Sequence, residues 1–266
     1  MSTLDTQTTV GQMVAERPSR ARVFERLGID YCCGGKVPLE QVCQEKGLDV
    51  TLVLQSLRDQ DQGAAESDSV DWTKMSLTTL ADQIVATHHA NLRRELPRLE
   101  QLVNRVATVH GPHYPELLDV KTTFYGLKAE LEEHMLKEEE AVFPMIKGLE
   151  SGSNSPPGYS ASVRYPIAAM IHEHDSTGAA LSRLRSLTSD YVPPSDACNT
   201  YRAMLDGLAE LESDMHLHIH KENNILFPRA IQAEAASPET GHGLDGLLRT
   251  LGKRLSGVLN GIDDHV

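Results

Sequence analysis

Two short stretches, His134-Met-Leu-Lys-Glu138 and its echo His218-Ile-His-Lys-Glu222, decide the fold of this chain. In a helix the fourth residue on lies above the first on the same face, so each stretch directs an imidazole and a carboxylate toward one point. Apolar residues continue that face at intervals of three or four, the period of a buried helical stripe. They are Phe124, Leu127, Leu131, Ala141 and Met145 around the first stretch, and Met204, Leu208, Leu211, Met215 and Ile225 around the second. Because an ionised glutamate inside such a stripe is costly unless it is paired or coordinates a metal, the pattern predicts metal ligands on two core helices.

The two stretches belong to an internal repeat. They share the frame His-x-x-Lys-Glu-x-x-x-x-Phe-Pro, which ends at Phe143-Pro144 in the first copy and at Phe227-Pro228 in the second. A single histidine on a core stripe is more often a hydrogen-bonded core residue than a ligand. A glutamate one turn later, in two copies, reverses that preference in favour of a metal site.

The repeat also indicates one further histidine in each half. His89 is followed by leucines seven, ten and thirteen residues on, and His174 by leucines at the same offsets, whereas His88 does not share this frame. The separation from His89 to His134 is 45 residues and that from His174 to His218 is 44, so the two helical hairpins superimpose almost without a gap.

The predicted site therefore contains four histidines and two glutamates, one histidine from each helix of a bundle. They are His89, His134, Glu138, His174, His218 and Glu222. The set suits two metal ions with two imidazoles each and both carboxylates free to bridge, which favours iron or manganese over a closed zinc site. Four protein contacts on each metal leave room for an oxo group, water or a small ligand. His216 and His220 lie on the opposite side of the fourth helix, and we interpret them as solvated residues or as neighbours of the ligands.

Composition narrows the class of protein. The chain has 266 residues and a formal net charge of -13, which argues against broad binding to nucleic acids or to anionic membranes. It has neither the pattern of a secretion signal at its start nor an apolar run long enough to span a bilayer, so the expected location is the cytoplasm. Four cysteines, two of them adjacent, do not make a secreted disulfide framework.

The order of apolar patterns and turn signals predicts an all-α protein, an antiparallel four-helix bundle preceded by a small helical domain. We place the small domain at residues 1–62, a linker at 63–75, the bundle at 76–235 and a tail at 236–266. Leucines in the tail are spaced as one amphipathic helix, which could pack on the bundle or on a partner chain and leaves a homodimer open.

The chemical centre of the small domain is the stretch Asp30-Tyr-Cys-Cys-Gly-Gly-Lys36. A disulfide between the adjacent Cys32 and Cys33 would be strained and easily reduced, and the two thiolates could also hold a soft metal. The bland alternative is a pair of small apolar residues packed in a turn. Because two glycines follow directly and favour an exposed, tightly bent loop, we interpret the pair as redox-active or as a docking element. Cys43 and Cys198 are interpreted as fillers.

The combination of this stretch with such a bundle resembles the iron-sulfur cluster repair di-iron proteins, the repair of iron centres family, which joins a vicinal-cysteine ScdA-type domain to a hemerythrin-like domain. The resemblance covers residues 8–235. It implies two non-haem iron ions with oxo and carboxylate bridges, in which the four histidines are terminal ligands and Glu138 and Glu222 are the bridges. It also implies a stress protein that restores iron-sulfur clusters damaged by nitric oxide or oxidation.

Three functions remain open. The first is repair of damaged clusters in client proteins, by delivery of iron or removal of nitric oxide. The second is an enzyme, a nitric oxide reductase that produces nitrous oxide. The third is a sensor or carrier of dioxygen or nitric oxide, as in hemerythrins that carry oxygen. Those hemerythrins have a second histidine one turn after the first on the third helix, where this chain has Gly178 after His174, so the resemblance to them is weaker.

Overall fold

The computed structural model describes residues 4–63, 71–151 and 162–236. Within these ranges the chain forms eight helices and no strand. The predicted tail helix and most of the predicted linker lie outside the described residues. Among the described helices, none is both long enough and apolar enough to cross a bilayer.

The small N-terminal domain consists of four helices and a short 3-10 turn. They are α1 (Val10–Glu16), the turn Pro18–Arg20, α2 (Ala21–Arg26), α3 (Leu39–Lys46) and α4 (Val50–Gly63). The hydroxyl of Thr9 accepts from the backbone of Gln12 and so starts α1, while Gly47 ends α3 with a φ of 65°. Inside the module the buried guanidinium of Arg20 donates to both carboxylate oxygens of Asp61, at 3.0 and 2.8 Å. These contacts fix four short helices around one apolar core.

The second part of the chain is an antiparallel bundle of four long helices, as the sequence predicts. We label them α5 (residues 77–110), α6 (residues 116–151), α7 (Arg164–Leu187) and α8 (residues 199–236). Helix α5 packs against α6 and α8, and α6 packs against α7. The bundle's apolar packing also includes Trp72, which is buried although it lies within the predicted linker.

Three of the long helices contain a π turn at the place where the predicted ligands lie. The π turns are Val85–His89 in α5, Glu138–Val142 in α6 and Glu222–Leu226 in α8. In the last two, the N–H of the phenylalanine in the repeated frame donates to the carbonyl of the glutamate five residues back. A proline inside a regular α-helix lacks its N–H and collides with the carbonyl four residues back. The wider turn explains how each helix accommodates the proline six residues after its glutamate.

The predicted site lies between two apolar clusters of the bundle. One cluster contains Leu92, Leu131, Leu181 and Met215, and the other contains Ile84, Phe143, Met170 and Phe227. Along each helix the predicted ligands fall between the residues of one cluster and those of the other. Apolar packing on both sides therefore holds the four helices in register at the level of the site.

The N-terminal module is docked on the outer face of α8. The side chain of Asn224 donates to the backbone carbonyls of Tyr31 and Cys32 at 3.3 and 2.9 Å. Nδ1 of His220 also donates to the backbone carbonyl of Tyr31, at 3.2 Å. A Cβ atom at Gly35 would lie 2.3 Å from the Asn224 oxygen and 2.6 Å from the Tyr31 carbonyl. The close approach of the loop to α8 thus requires glycine at this position.

Candidate metal centre

The structure brings all six predicted ligand side chains together in the interior of the bundle. They form two overlapping groups, in each of which one donor atom per residue lies within 4.8 Å of the others. The first group is His89, Glu138, His218 and Glu222, and the second is His134, Glu138, His174 and Glu222. We call the histidine pairs position 1 (His89 and His218) and position 2 (His134 and His174). All six residues are buried.

The two oxygens of Glu138 face different positions. Oε2 lies 3.2 Å from Nε2 of His89 and 3.9 Å from Nε2 of His218, both in position 1. Oε1 lies 3.3 Å from Nε2 of His134, in position 2. The carboxylate therefore spans the two histidine pairs.

Glu222 spans the same two pairs from the opposite half of the repeat. Its Oε1 lies 3.1 Å from Nε2 of His218, and its Oε2 lies 3.1 Å from Nε2 of His174. Within position 2, the Nε2 atoms of His134 and His174 are 3.1 Å apart. Nitrogen and oxygen atoms thus converge on two adjacent points.

Several of these buried polar atoms have no hydrogen-bond partner among the described residues. They are Nε2 of His89, both oxygens of Glu138, Nδ1 of His218 and Oε2 of Glu222. Leaving such groups unsatisfied in a protein interior costs about 1–3 kcal/mol each, and more for a charged group. Cations coordinated at the two positions would satisfy the inward-facing atoms, so the donor set fits metal ions.

The electrostatics of the site keep Glu222 anionic. Burial alone would raise the pKa of Glu222, but His218 and His174 hold it well below its usual range. Burial would lower the pKa of His134, whereas the charge and hydrogen bond of Glu138 raise it to about 9. A metal ion at Nε2 would take the place of the proton that His134 carries, so metal binding releases protons.

Three of the four histidines are oriented by a hydrogen bond at the other ring nitrogen. Nδ1 of His89 donates to Glu139 at 2.6 Å, and Glu139 also accepts from Arg93. Nδ1 of His134 donates to Glu173 at 2.8 Å. These bonds fix each ring with Nε2 inward, as metal-binding histidines require.

The partner of Nδ1 of His174 is neutral, and Nδ1 of His218 has no hydrogen-bond partner among the described residues. Nδ1 of His174 donates to the amide oxygen of Asn223 at 2.9 Å. His218 instead stacks on His88, with ring centroids 5.2 Å apart and planes 4° from parallel. His88 is itself held by Asp214 at 2.8 Å on one nitrogen and by Lys221 at 2.9 Å on the other.

The adjacent cysteines lie against the bundle next to position 2. Both are free thiols, and Asp30 accepts hydrogen bonds from the backbone N–H groups of Cys32 and Cys33 at 2.9 and 3.0 Å. Cys33 Sγ lies 3.9 Å from the carbonyl of His174. A Cβ atom at Gly178 would lie 3.8 Å from the same sulfur. The thiol therefore contacts the helix where oxygen-carrying hemerythrins have their additional histidine.

Sequence reasoning did not single out the residues around the ligands. Glu139 and Asn223 directly follow the two glutamates, and Glu173 directly precedes His174, so proximity in sequence was the available signal. His220, interpreted as solvated or near the ligands, is fully buried and faces the N-terminal module. Burial lowers the pKa of its ring to about 4, which keeps it neutral. Its role in docking has no local sequence signature, because its partners lie about 190 residues away.

Comparison with known proteins agrees with this arrangement. A sequence profile of the hemerythrin HHE cation-binding domain matches residues 80–230, and one of the ScdA N-terminal domain, a domain of unknown function, matches residues 6–61. The chain is similar to a probable iron-sulfur cluster repair protein of Haemophilus influenzae, with 35% identity over 85% of this chain and 97% of that protein. It is equally similar, over the same shares, to the iron-sulfur cluster repair protein YtfE of Escherichia coli O157:H7.

Proposed function

This chain belongs to the family of iron-sulfur cluster repair proteins that carry a hemerythrin HHE cation-binding domain, and from that premise we propose that it holds two non-haem iron ions and uses them to repair damaged iron-sulfur clusters. One ion would occupy position 1 and the other position 2. The clients are proteins whose clusters have been damaged by nitric oxide or oxidation. The free thiols of the described residues fit a reducing compartment such as the cytoplasm.

A single observation carries this proposal: each of the two glutamates directs one oxygen to each histidine pair. A single ion would leave one oxygen of each carboxylate without a cation, whereas two adjacent ions would be held by both Glu138 and Glu222. Imidazole and carboxylate donors from four helices of a bundle are typical of di-iron and di-manganese proteins. The names of the relatives favour iron between these two.

In this proposal iron serves as the material of repair and, when bound, as a redox and ligand-binding centre for a small molecule such as nitric oxide. The chain's own residues hold and orient it. Glu138 and Glu222 supply the negative charge that two cations need. Gly178 places no side chain on the third helix one turn after His174, so position 2 receives no second histidine from α7.

Delivery of iron and reduction of nitric oxide are distinguished by one experiment on the full chain. The protein is loaded anaerobically with two equivalents of ⁵⁷Fe and mixed with an apo-protein that needs a [4Fe–4S] cluster, sulfide being supplied. Repair by delivery predicts that ⁵⁷Fe appears in the client's cluster and leaves the repair protein. Nitrous oxide formed on addition of nitric oxide, with iron retained, would instead identify a nitric oxide reductase. Ligand binding with neither result would identify a sensor or carrier.

The matched control for that experiment changes a carboxylate outside the site. Glu222→Ala removes one shared carboxylate, so we expect loss of iron and of transfer. Glu210→Ala changes an exposed residue of the same helix and should leave both unchanged. Equal iron content and equal transfer in the two variants would refute the assignment.

We also propose that Cys32 and Cys33 act on the iron from outside the site, as a redox pair or a docking element for the client. Their support is the position of Cys33 Sγ against the His174 carbonyl. Replacing both cysteines by serine should leave iron content unchanged and slow transfer to the client. Cys198→Ser, at an exposed thiol of the same chain, is the control. Transfer at the wild-type rate in the double variant would make the pair structural.

A further inference from the structure

The surroundings of the two metal positions differ, although the positions are related by the internal repeat. In each half the residue after the shared glutamate faces a histidine of the same hairpin: Glu139 faces His89, and Asn223 faces His174. The repeat therefore preserves the geometry of these contacts. It does not preserve their charge.

The repeat relates a second set of residues, and here the difference is larger. The lysine of the repeated frame contacts the residue that precedes a ligand histidine of the other hairpin. In one half Lys137 donates to Glu173 at 2.8 Å, and Glu173 accepts from Nδ1 of His134. The result is a chain from lysine to carboxylate to ligand.

In the other half the same place is taken by a histidine. Lys221 donates to Nε2 of His88 at 2.9 Å, and Nδ1 of His88 donates to Asp214 at 2.8 Å. Both nitrogens of His88 are thus engaged, and its ring lies parallel to that of His218 rather than edge-on to it. His88 offers His218 no acceptor, which explains why Nδ1 of His218 is buried without a partner in the part of the chain that the structure describes.

We infer that the metal ion at position 1 is held less firmly than the ion at position 2 and is the one released first, because His218 lacks the hydrogen bond that orients the other three histidines. At position 2 both histidines donate a hydrogen bond from Nδ1, one to a carboxylate and the other to an amide oxygen. At position 1 only His89 does so, to a carboxylate. Glu173 is a positioning residue for position 2, and residue 88 determines the strength of position 1. Loss of such an outer hydrogen bond typically weakens metal binding by about 10- to 100-fold.

This inference rests on the proposed function, since it requires two ions. It adds an order of release, so that an exported iron would leave from the side of α5 and α8 while the ion between α6 and α7 stays. The repair protein would then retain one iron after delivering the other.

The test is release of iron to an excess of a ferrous chelator from the full chain loaded anaerobically with two ferrous ions. We expect two phases of one ion each. A crystal of protein stopped after the fast phase should show the remaining iron, by anomalous scattering, between His134 and His174. Remaining iron between His89 and His218, or simultaneous release of both ions, would overturn the inference.

Two variants assign the phases to the residues proposed. Glu173→Gln should speed the slow phase by about tenfold or more and leave the fast phase unchanged. His88→Glu copies the Glu173 arrangement beside Lys221 and should slow the fast phase. Glu210→Gln, at an exposed position of α8, should change neither. A faster fast phase in Glu173→Gln would contradict the assignment. This test does not depend on His88→Glu, so it holds even if that variant folds poorly.

The same measurement separates this inference from the proposed function. Binding of fewer than two ions by the wild-type chain would defeat both. Two ions released in the reverse order or together would defeat only the order of release. Neither the number of bound ions nor their order of release requires a measurement of iron transfer to a client protein.

Discussion

The two faces of α8 use buried polar side chains in different ways. On the inner face, His218 and Glu222 leave Nδ1 and Oε2 without a hydrogen-bond partner among the described residues. On the outer face, two positions further along, His220 and Asn224 donate to backbone carbonyls of the N-terminal module. On the inner face, Oε2 of Glu222 lies where a metal ion would satisfy it. On the outer face, one ring nitrogen of His220 and the amide of Asn224 are satisfied by the same chain, although Nε2 of His220 has no partner among the described residues. The comparison teaches that neither burial nor one unsatisfied ring nitrogen distinguishes a metal site from a docking surface, whereas several nitrogen and oxygen atoms that converge on the same points do.

The largest effect is expected from the inner face. Glu138→Ala removes a carboxylate that faces both histidine pairs, so we expect loss of at least one of two iron ions per chain and of any spectroscopic signature of bridged ions. Metal analysis after anaerobic purification measures this. Glu140→Ala, at an exposed glutamate two residues on, is the control and should retain both ions. Unchanged iron in Glu138→Ala would break the distinction between the faces.

A smaller effect is expected from the outer face. In Gly35→Ala the new methyl group would lie 2.3 Å from the Asn224 oxygen and 2.6 Å from a backbone carbonyl, so the loop must move away from α8. Forced repacking of this kind costs about 1–3 kcal/mol, which urea unfolding would detect. Iron content should not change, since the inner face is untouched.

The control for this variant is another glycine. A methyl group at Gly126, in α6, would meet no atom of the described residues within 4 Å, so Gly126→Ala should be neutral or stabilising by up to about 1 kcal/mol. Equal stability of the two variants would show that the docked loop is not tightly packed.

The smallest effect is the pH dependence of the docked face. The pKa of His220 is lowered to about 4 by burial, against about 6.5 in an unfolded chain, so its contribution is complete above pH 6.5 and is lost as the pH falls toward 4. Between pH 7.5 and 5.5 the expected loss is about 1 kcal/mol. Unfolding of the iron-free protein should show this slope in wild type and a flatter one in His220→Gln. The exposed His113→Gln should behave as wild type, and a wild-type slope in His220→Gln would refute the assignment.

The sequence predicts the inner face better than the outer one for a physical reason. The inner face is built from helical periodicity, which places His134 and Glu138 on one stripe, and from a repeat that identifies His89 and His174. These are local patterns that survive without a structure. The docking of Asn224 against Gly35 depends on residues about 190 positions apart, and no local pattern encodes it.

Two other features lie between these extremes. The Phe-Pro pairs were visible as part of the repeat, but their link to the π turns at Glu138 and Glu222 follows only from the backbone. Likewise Glu173 and His88 hold equivalent places in the repeat, yet their different effects on His134 and His218 depend on ring orientation. Orientation of side chains is decided by tertiary packing rather than by spacing.

The central claim is that two ions lie side by side between the histidine pairs, with both glutamates shared. Anomalous difference density at the iron edge, from crystals of the full chain loaded anaerobically with iron, tests it most directly. The account predicts two peaks roughly 3.5–4 Å apart, one beside His89 and His218 and the other beside His134 and His174, with Glu138 and Glu222 contacting both. A single peak, or iron bound only elsewhere on the chain, would contradict it.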